Sequence, residues 1–201
     1  MKENLINVLS EAKIFPVLRG GPLKMTDIAK ALADGGINIF EVNIETSQTL
    51  KVIEEISKFS IVCAGNIITS IQAQAAIDAG AKIISSPIFH MNMVKLSKDK
   101  KIPYIAGTST ANEAYNAWKA RIQVVKIYPV TALGGIMYLE DLLRPMPFLN
   151  VLPLGNVKLN EVKSYLNAGA VAVGVGRDLY EGYSYAEISR RVEKALKELG
   201  E

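Results

Sequence analysis

The most constraining feature of the chain is a lysine in the middle of an apolar run that is typical of a β-strand. The run extends from Val124 to Pro129 and reads VVKIYP, with Lys126 at its third position. Strands of a parallel sheet are covered on both faces, so a central lysine either points into a barrel interior or ends in solvent. Burial lowers the pKa of an amine, and a neutral lysine can attack a carbonyl to form a Schiff base. The alternative is that Lys126 lies at a strand end and extends its ammonium group into water.

Apolar strands alternate with helical segments along the whole chain of 201 residues. Each of about eight strands is followed by a helix, and an extra helix over Leu5–Ala12 precedes the first strand. This pattern predicts an α/β fold, a single (β/α)8 TIM barrel over residues 1–201, with short loops because such barrels typically have about 250 residues. The predicted strands are Ile14–Leu18, Ile39–Asn43, Ile61–Ala64, Lys82–Ser85, Tyr104–Ile105, the run around Lys126, Val151–Pro153 and Val171–Val175.

Composition excludes several classes of function. The 23 basic and 20 acidic residues are spread along the chain and leave a net charge of +3, so we expect no nucleic-acid partner. Cys63 is the only cysteine and His90 the only histidine, which excludes an internal disulfide and a metal site built from several cysteines or histidines. Residues 1–11 do not resemble a signal peptide, and no apolar run is long enough to span a membrane. We therefore expect a cytoplasmic protein without a metal site.

A second charged residue, Glu41, interrupts another predicted strand. Burying either Glu41 or Lys126 alone would cost several kcal/mol (roughly 3–5), whereas together the two groups can neutralise each other. A neutral amine forms an iminium with a ketone, and a nearby carboxylate can move the protons that this chemistry requires. The alternative is an ion pair that only fixes the register of the barrel. The pair alone does not decide between these interpretations.

The remaining candidates lie where predicted strands end, because barrels of this kind carry their chemistry at the C-terminal ends of the strands. Glycines after the seventh and eighth strands, together with Gly134 and Gly135, predict a phosphate site in which backbone N–H groups approach an anion. The alternative is that these glycines serve as ordinary turn residues. The candidates at strand ends are Arg19, Glu41, Asn43, Glu45, Asn66, Ser86, Thr108 to Thr110, Lys126, Gly155, Asn156, Gly176 and Arg177.

With these residues placed, nearly the whole chain resembles the 2-keto-3-deoxy-6-phosphogluconate (KDPG) / 4-hydroxy-2-oxoglutarate aldolase family. The most specific match is KIYP at Lys126–Pro129 followed by Gly134 and Gly135. The other matching segments are FPVLR at Phe15–Arg19, Gly35 and Gly36 with FEVN at Phe40–Asn43, AGNII at Ala64–Ile68 with Gln72, Ser86 with Pro87, and AGTST at Ala106–Thr110.

The resemblance implies a class I aldolase on a small (β/α)8 barrel, in which Lys126 forms the Schiff base and Glu41 is the general acid and base. It implies cleavage of a phosphorylated 2-keto-3-deoxy sugar acid to pyruvate and glyceraldehyde 3-phosphate, a homotrimer, and neither a metal nor an organic cofactor. The substrate-binding residues that it implies are Arg19, Asn66, Ser86, Pro87, Thr110 and Glu45. The phosphate-binding residues are Gly134, Gly135, Gly155, Asn156, Gly176 and Arg177.

Several positions depart from the family pattern. Glu45 replaces an arginine, Asn66 replaces a threonine that helps to hold the pyruvate carboxylate, and Arg177 replaces a serine near the phosphate. Leu154 and Asn156 remove a hydroxyl and a glycine from the phosphate loop. Thr131 replaces a common glutamate. The pattern predicts retained aldol chemistry on an altered or relaxed substrate. Two alternatives stay open: an isomerase or synthase of the same fold with Lys126 as an electrostatic clamp, and a non-catalytic relative that binds a sugar acid phosphate.

Overall fold

The computed structural model describes residues 4–200, apart from the side chains of residues 22 and 23. Eight parallel strands form one sheet, and helices connect them. The strands are β1 (Ile14–Leu18), β2 (Ile39–Asn43), β3 (Ile61–Gly65), β4 (Ile83–Ser86), β5 (Tyr104–Thr108), β6 (Val124–Ile127), β7 (Val151–Pro153) and β8 (Val173–Val175). The helices are α1 (Leu5–Ala12), α2 (Pro22–Asp34), α3 (Thr49–Ile56), α4 (Ser70–Asp78), α5 (Met91–Lys100), α6 (Ala111–Lys119), α7 (Val130–Leu133), α8 (Gly135–Leu143), α9 (Val162–Asn167) and α10 (Tyr185–Gly200).

The sheet closes into a barrel. Its strand order is β7-β6-β5-β4-β3-β2-β1-β8, so the two strands at the ends of this order are β7 and β8. Parallel bridges from Val151 to Ala170 and from Leu154 to Gly174 join those ends. The predicted (β/α)8 barrel with an extra N-terminal helix is therefore confirmed. No helix in the described part of the chain is long and apolar enough to cross a membrane.

The predicted and the observed secondary structure differ after Lys126. The predicted strand run reached Pro129, whereas β6 ends at Ile127 and the short helix α7 follows. Proline has no N–H to donate to a strand ladder, and Pro129 instead occupies the N-cap of α7. Helical periodicity over Thr26–Leu32 predicts a shorter helix than α2, which extends beyond this range at both ends. These differences shift element boundaries and leave the order of the elements unchanged.

The N-terminal end of the barrel is filled by apolar side chains. Leu5 and Leu9 of α1 are fully buried and pack into an inner core with residues such as Phe15 and Leu152. Helix α1 begins at Asn4, whose side chain accepts a hydrogen bond from the N–H of Ile6 and caps the helix. Since this end is closed, the polar groups of the barrel lie towards the C-terminal ends of the strands.

Candidate active site

Lys126 and Glu41 meet inside the barrel. The Nζ atom of Lys126 lies 3.1 Å from Oε1 and 3.0 Å from Oε2 of Glu41, so it donates to both carboxylate oxygens. The two side chains are 4% and 2% exposed. The alternative in which Lys126 extends into water is therefore wrong. The amine and the carboxylate are held together away from bulk solvent, as a Schiff-base mechanism requires.

A buried pair of this kind is a poor way to stabilise a barrel. Taking two charges out of water costs several kcal/mol (about 3–5) unless hydrogen bonds compensate, and apolar residues of similar volume are often as stable or more so. Lys126 and Glu41 come from β6 and β2, on opposite sides of the barrel, and no helix or turn forces them to be charged. The geometry is thus better explained by chemistry than by stability.

Asn43 links the pair to the rim of the barrel. It follows Glu41 by two positions on β2 and therefore points to the same face. In the orientation that satisfies both neighbours, the amide nitrogen of Asn43 donates to Oε1 of Glu41 at 3.1 Å, and its oxygen accepts from Nε of Arg19 at 2.9 Å. Arg19 was predicted to bind substrate, and the structure places it one hydrogen bond away from the side chain that holds Glu41. Oε1 of Glu41 therefore accepts from both Asn43 and Lys126, and the network fixes the orientation of the carboxylate.

Gly65 at the end of β3 makes room for this network. A Cβ atom at Gly65 would lie 2.2 Å from the terminal amide of Asn43 and 2.7 Å from Cγ of Glu41, far inside contact distance. Any other residue would displace the carboxylate. Glycine is required here by close approach, and the positions of Glu41 and Asn43 depend on it.

Inward-facing side chains form layers in the barrel, because every second residue of a strand points inward. The inner core includes Ile39 of β2, Ile83 of β4, Val124 of β6 and Ala172 directly before β8. A second set of residues follows two positions further along the chain from each of these four. The second set is Glu41, Ser85, Lys126 and Gly174. We call this second set the reactive layer.

Cys63 lies on β3 in register with Glu41 and belongs to the inner core beneath the reactive layer. The thiol is fully buried. Burial raises the pKa of Cys63 well above its usual value, the Glu41 charge adds to the increase, and Lys126 opposes it. Cys63 is therefore a neutral thiol in the floor of the site, as expected of a small core residue.

A cavity of about 480 Å³ opens at the C-terminal ends of β1, β7 and β8. Its walls include five of the residues predicted from the sequence: Arg19, Gly155, Asn156, Gly176 and Arg177. Gly174 of the reactive layer also lines it. The side chain of Leu154 covers Gly174, because a Cβ atom there would lie 2.5 Å from a methyl group of Leu154. Lys126, Glu41 and Ser85 are not among the lining residues, so this cavity meets the reactive layer at Gly174 alone.

Charged residues that were not predicted from the sequence also line this cavity. Lys158 forms an ion pair with Asp178 at 3.2 Å, and Arg177 lies 3.9 Å from Glu181. Asp178 also accepts a hydrogen bond from the N–H of Leu159. Partial burial raises the pKa of the Asp178 carboxyl, but this hydrogen bond and Lys158 together lower the pKa below its usual value. The rim thus carries three cations, counting Arg19, with only two acids opposite them in the cavity lining.

Other predicted substrate residues lie around the mouth but outside the lining of this cavity. The hydroxyl of Ser86 accepts a hydrogen bond from the N–H of Ile88, and Thr110 caps α6 through Glu113. Asn66 is half-buried directly after β3 with a φ of 59°, a conformation that asparagine tolerates better than most residues. The backbone of Pro87 lies close against Gly107, because a Cβ atom added at Gly107 would lie 2.3 Å from the carbonyl of Pro87. Glu45 is exposed.

Gly134 and Gly135 form the turn between α7 and α8 and lie outside the lining of the cavity. Their φ angles are 120° and 66°, so the turn requires glycine. Next to them, the hydroxyl of Thr131 donates a short hydrogen bond to the carbonyl of Gly155. Thr131, which the sequence left uninterpreted, therefore ties α7 to the loop after β7.

Three further observations concern groups outside the reactive layer. No cluster of three or more His, Cys, Asp or Glu side chains suited to a metal ion occurs in the described part of the chain. His90 is the N-cap of α5, where its Nδ1 atom accepts a hydrogen bond from the N–H of Asn92. A groove of about 700 Å³ near α9 and α10 is larger than the cavity at the mouth, but its walls contain no residue of the reactive layer.

Comparisons with known proteins identify a family and several relatives of this chain. The family described as KDPG and KHG aldolase matches residues 5–191. The 2-dehydro-3-deoxy-phosphogluconate aldolase of Treponema pallidum is 30% identical over 166 residues, which cover 81% of this chain and 79% of that protein. The KHG/KDPG aldolase of Escherichia coli is 26% identical and covers 98% of this chain and 96% of its own length. A solved structure, a 4-hydroxy-2-oxoglutarate/2-dehydro-3-deoxyphosphogluconate aldolase from TTHB1, superposes with a TM-score of 0.88 at 26% identity and covers 98% of both chains.

Proposed function

Since the chain belongs to the KDPG and KHG aldolase family, we propose that it is a class I aldolase that cleaves a 2-keto-3-deoxy-6-phospho-sugar acid to pyruvate and glyceraldehyde 3-phosphate. The single observation that carries the proposal is the contact of Lys126 Nζ with both carboxylate oxygens of Glu41 in a buried setting. One amine and one acid are the groups that Schiff-base aldol chemistry needs, and both lie within reach of each other.

The reaction begins with a proton transfer within the pair. Glu41 accepts a proton from the ammonium of Lys126, which the hydrogen-bond distances of 3.0 Å and 3.1 Å allow directly. The neutral amine then attacks C2 of the keto acid, and the carbonyl electron pair moves onto oxygen. Glu41 returns the proton to that oxygen to give the carbinolamine. It then takes a proton from the nitrogen and delivers it to the hydroxyl, which leaves as water and gives the iminium.

Carbon–carbon cleavage follows from the iminium. Glu41, again a carboxylate, removes the proton from the C4 hydroxyl, the bond between C3 and C4 breaks, and its electrons move into the iminium to give an enamine. The aldehyde leaves, C3 is protonated, and water releases pyruvate from Lys126. Asn43 keeps Glu41 aimed at the reacting carbons through its hydrogen bond at 3.1 Å. The low exposure of the site limits competing water.

Substrate recognition is assigned to the rim. Arg19, Arg177 and the backbone amides at Gly155, Asn156 and Gly176 line the cavity and would hold the distal phosphate. Gly134 and Gly135 remain proposed as further phosphate contacts. Asn66, Pro87, Thr110 and Glu45 are proposed to shape the keto-acid side of the mouth, while Ser86, on the outer face of β4, supports the segment after this strand through Ile88. Leu154 contributes no polar group where the family pattern has a hydroxyl, which supports an altered or relaxed substrate preference.

The experiment that tests the activity is chemical trapping. Borohydride in the presence of pyruvate should add the mass of a reduced pyruvate adduct irreversibly to Lys126, located by peptide mass spectrometry. A panel of phosphorylated and non-phosphorylated 2-keto-3-deoxy acids then gives the substrate. Absence of an adduct, under conditions that label the aldolase of Escherichia coli, would contradict the proposal and leave the electrostatic-clamp or binding-protein alternatives.

The assembly, compartment and cofactor requirement are also proposals. A homotrimer is implied by the family resemblance and is supported by exposed apolar side chains such as Ile71 and Met137, which are 82% and 75% exposed. Light scattering on the purified protein would give the mass. A single cysteine supports the cytoplasm. The mechanism uses an amine and a carboxylate alone, so activity should persist in a metal chelator.

A further inference from the structure

Ser85 is a buried hydroxyl without a partner. Its side chain is fully buried at the end of β4, and its Oγ atom makes no hydrogen bond within the described part of the chain. Buried hydroxyls nearly always have a partner, because leaving one unsatisfied destabilises the folded state. Alanine would fill the same position without that cost. The presence of serine here therefore requires an explanation other than stability.

The position of Ser85 supplies that explanation. Ser85 follows Ile83 of the inner core by two residues, so its side chain points into the barrel. It belongs to the reactive layer, where β2, β4, β6 and β8 each contribute one position. Glu41 and Lys126 come from opposite sides of the barrel, and β4 lies between them in the strand order. The hydroxyl of Ser85 thus faces the amine–carboxylate pair from the side.

The neighbouring serine shows that this placement is specific. Ser86 follows one residue later and points to the other face of the strand, where its hydroxyl accepts from the N–H of Ile88 at 3.3 Å. The side chain of Tyr104, on that outer face, is also close enough to hydrogen-bond with Ser86. Of two adjacent serines, the satisfied one faces the helices and the unsatisfied one faces the reacting groups.

We propose that Ser85 is a further catalytic residue of the proposed aldolase reaction, on which this inference rests, and that its hydroxyl donates a hydrogen bond to the C2 oxygen of the keto acid. As the neutral amine of Lys126 forms its bond to C2, the carbonyl electron pair moves onto that oxygen. The Ser85 O–H stabilises the developing negative charge until Glu41 delivers the proton. The Ser85 proton stays on its own oxygen, so the residue returns unchanged.

This role accounts for the unsatisfied hydroxyl in the protein without substrate. A donor that is held in place before the charge develops needs no reorganisation during the reaction, and in a dry site it has a larger effect than in water. The missing partner is then supplied by the substrate oxygen. A purely structural serine would instead be expected to bond to a neighbouring carbonyl, as Ser97 does with Val94.

The test compares Ser85→Ala with Ser60→Ala. Ser60 also has a buried hydroxyl without a partner, but it lies just before β3 at the closed end of the barrel. The measurement is the rate of adduct formation on Lys126 with saturating pyruvate and cyanoborohydride, together with kcat, KM and the melting temperature. Ser85→Ala should lower the trapping rate and kcat about 10- to 100-fold, with little change in KM. Its melting temperature should be equal to or above that of the wild type, and Ser60→Ala should keep the wild-type rates.

Ser85→Thr retains a hydroxyl and should recover most of the lost rate, since threonine fits a strand. A Ser85→Ala variant that traps pyruvate as fast as an active wild type would overturn the role of Ser85 and leave the aldolase proposal intact. A Ser85→Ala variant with a lowered melting temperature and a matching loss of active protein would also overturn it, because the serine would then be structural. A wild type that forms no adduct would reject the aldolase proposal itself.

Discussion

The reactive layer and the rim of the barrel are built differently. In the layer, Lys126 and Glu41 are at most 4% exposed, and Glu41 and Asn43 leave no room even for a Cβ atom at Gly65. At the rim, the side chain of Arg177 is 67% exposed and its nearest acid is 3.9 Å away. Charges in the layer are desolvated and fixed, whereas those at the rim are hydrated and screened.

The comparison teaches which part of the site is free to change. A substitution in the layer moves the reacting groups and is expected to affect kcat, while a substitution at the rim changes how a substrate is held and is expected to affect KM. Three departures from the family pattern, Leu154, Asn156 and Arg177, line the cavity at the mouth, and none of the departures is Lys126 or Glu41. This distribution supports the proposal of retained aldol chemistry with a changed recognition surface.

The largest expected effect is on the nucleophile. Lys126→Arg keeps the positive charge but removes the amine that attacks carbonyls, so aldol cleavage should fall by at least about 10⁴-fold. Steady-state kinetics with a phosphorylated 2-keto-3-deoxy acid measures the change. Circular dichroism should show a folded barrel, because the charge pair with Glu41 remains. An activity loss of less than about tenfold would indicate that Lys126 acts only as an electrostatic clamp.

The next largest effect is expected for a substitution that disturbs the packing of the reactive layer. Gly65→Ala should push Glu41 and Asn43 aside and lower the free energy of unfolding by about 1–3 kcal/mol, with a loss of kcat. The matched variant at the rim is Gly21→Ala, since a Cβ atom there would meet nothing within 4 Å. Urea unfolding should show a change of less than about 1 kcal/mol for Gly21→Ala. Equal destabilisation by both variants would contradict the contrast between layer and rim.

Asn43→Ala should have an intermediate effect. It removes the hydrogen bond that orients Glu41, while Lys126 can still form the Schiff base, so kcat should fall about 10- to 100-fold. Steady-state kinetics measures kcat, and the rate of adduct formation with pyruvate shows whether Lys126 still reacts. An unchanged kcat would show that Asn43 does not act through Glu41.

A smaller effect is expected at the rim. Arg177→Ala should raise KM for a phosphorylated substrate about two- to fivefold without a change in kcat, since an exposed charge contributes at most about 1 kcal/mol. The difference between variant and wild type should shrink as salt is added. A non-phosphorylated 2-keto-3-deoxy acid serves as the control and should show no difference. A fall in kcat with constant KM would place Arg177 in the reaction itself.

The smallest effect concerns Cys63. Burial raises the pKa of this thiol, so it stays protonated in the folded protein while the unfolded thiol ionises near pH 8.5. Its contribution to stability is therefore complete below about pH 8.5 and is lost as the pH rises, by about 0.8 kcal/mol at pH 9. Urea midpoints from pH 7 to pH 9 should converge for the wild type and Cys63→Ala. Rapid alkylation of the native thiol at pH 8 would contradict the burial.

Much of the site could be read from the sequence. Glu41 and Lys126 stood out because each interrupts an apolar strand, and β2 was predicted with the bounds that the structure shows. Asn43 was a candidate because it ends a predicted strand, but its contact with Glu41 was not predicted. Ser85 was not a candidate, although a period of two along β4 places it on the inner face. Ser86 was selected because it matches a motif, while its neighbour carries the inward hydroxyl. No local sequence pattern marks Lys158 and Asp178 as site residues, since they meet only where the loops after β7 and β8 converge.

The sequence by itself determined the alternation of strands and helices, the extra helix before the first strand and the presence of one amine and one acid in strands. These features are local, because periodicity and burial preference are written in neighbouring residues. Only the tertiary structure decided that Lys126 meets Glu41, 85 residues away, and that Ser85 belongs to the same layer. The physical reason is closure of the barrel, which brings opposite strands within hydrogen-bond distance across an interior that no short segment of the chain encodes.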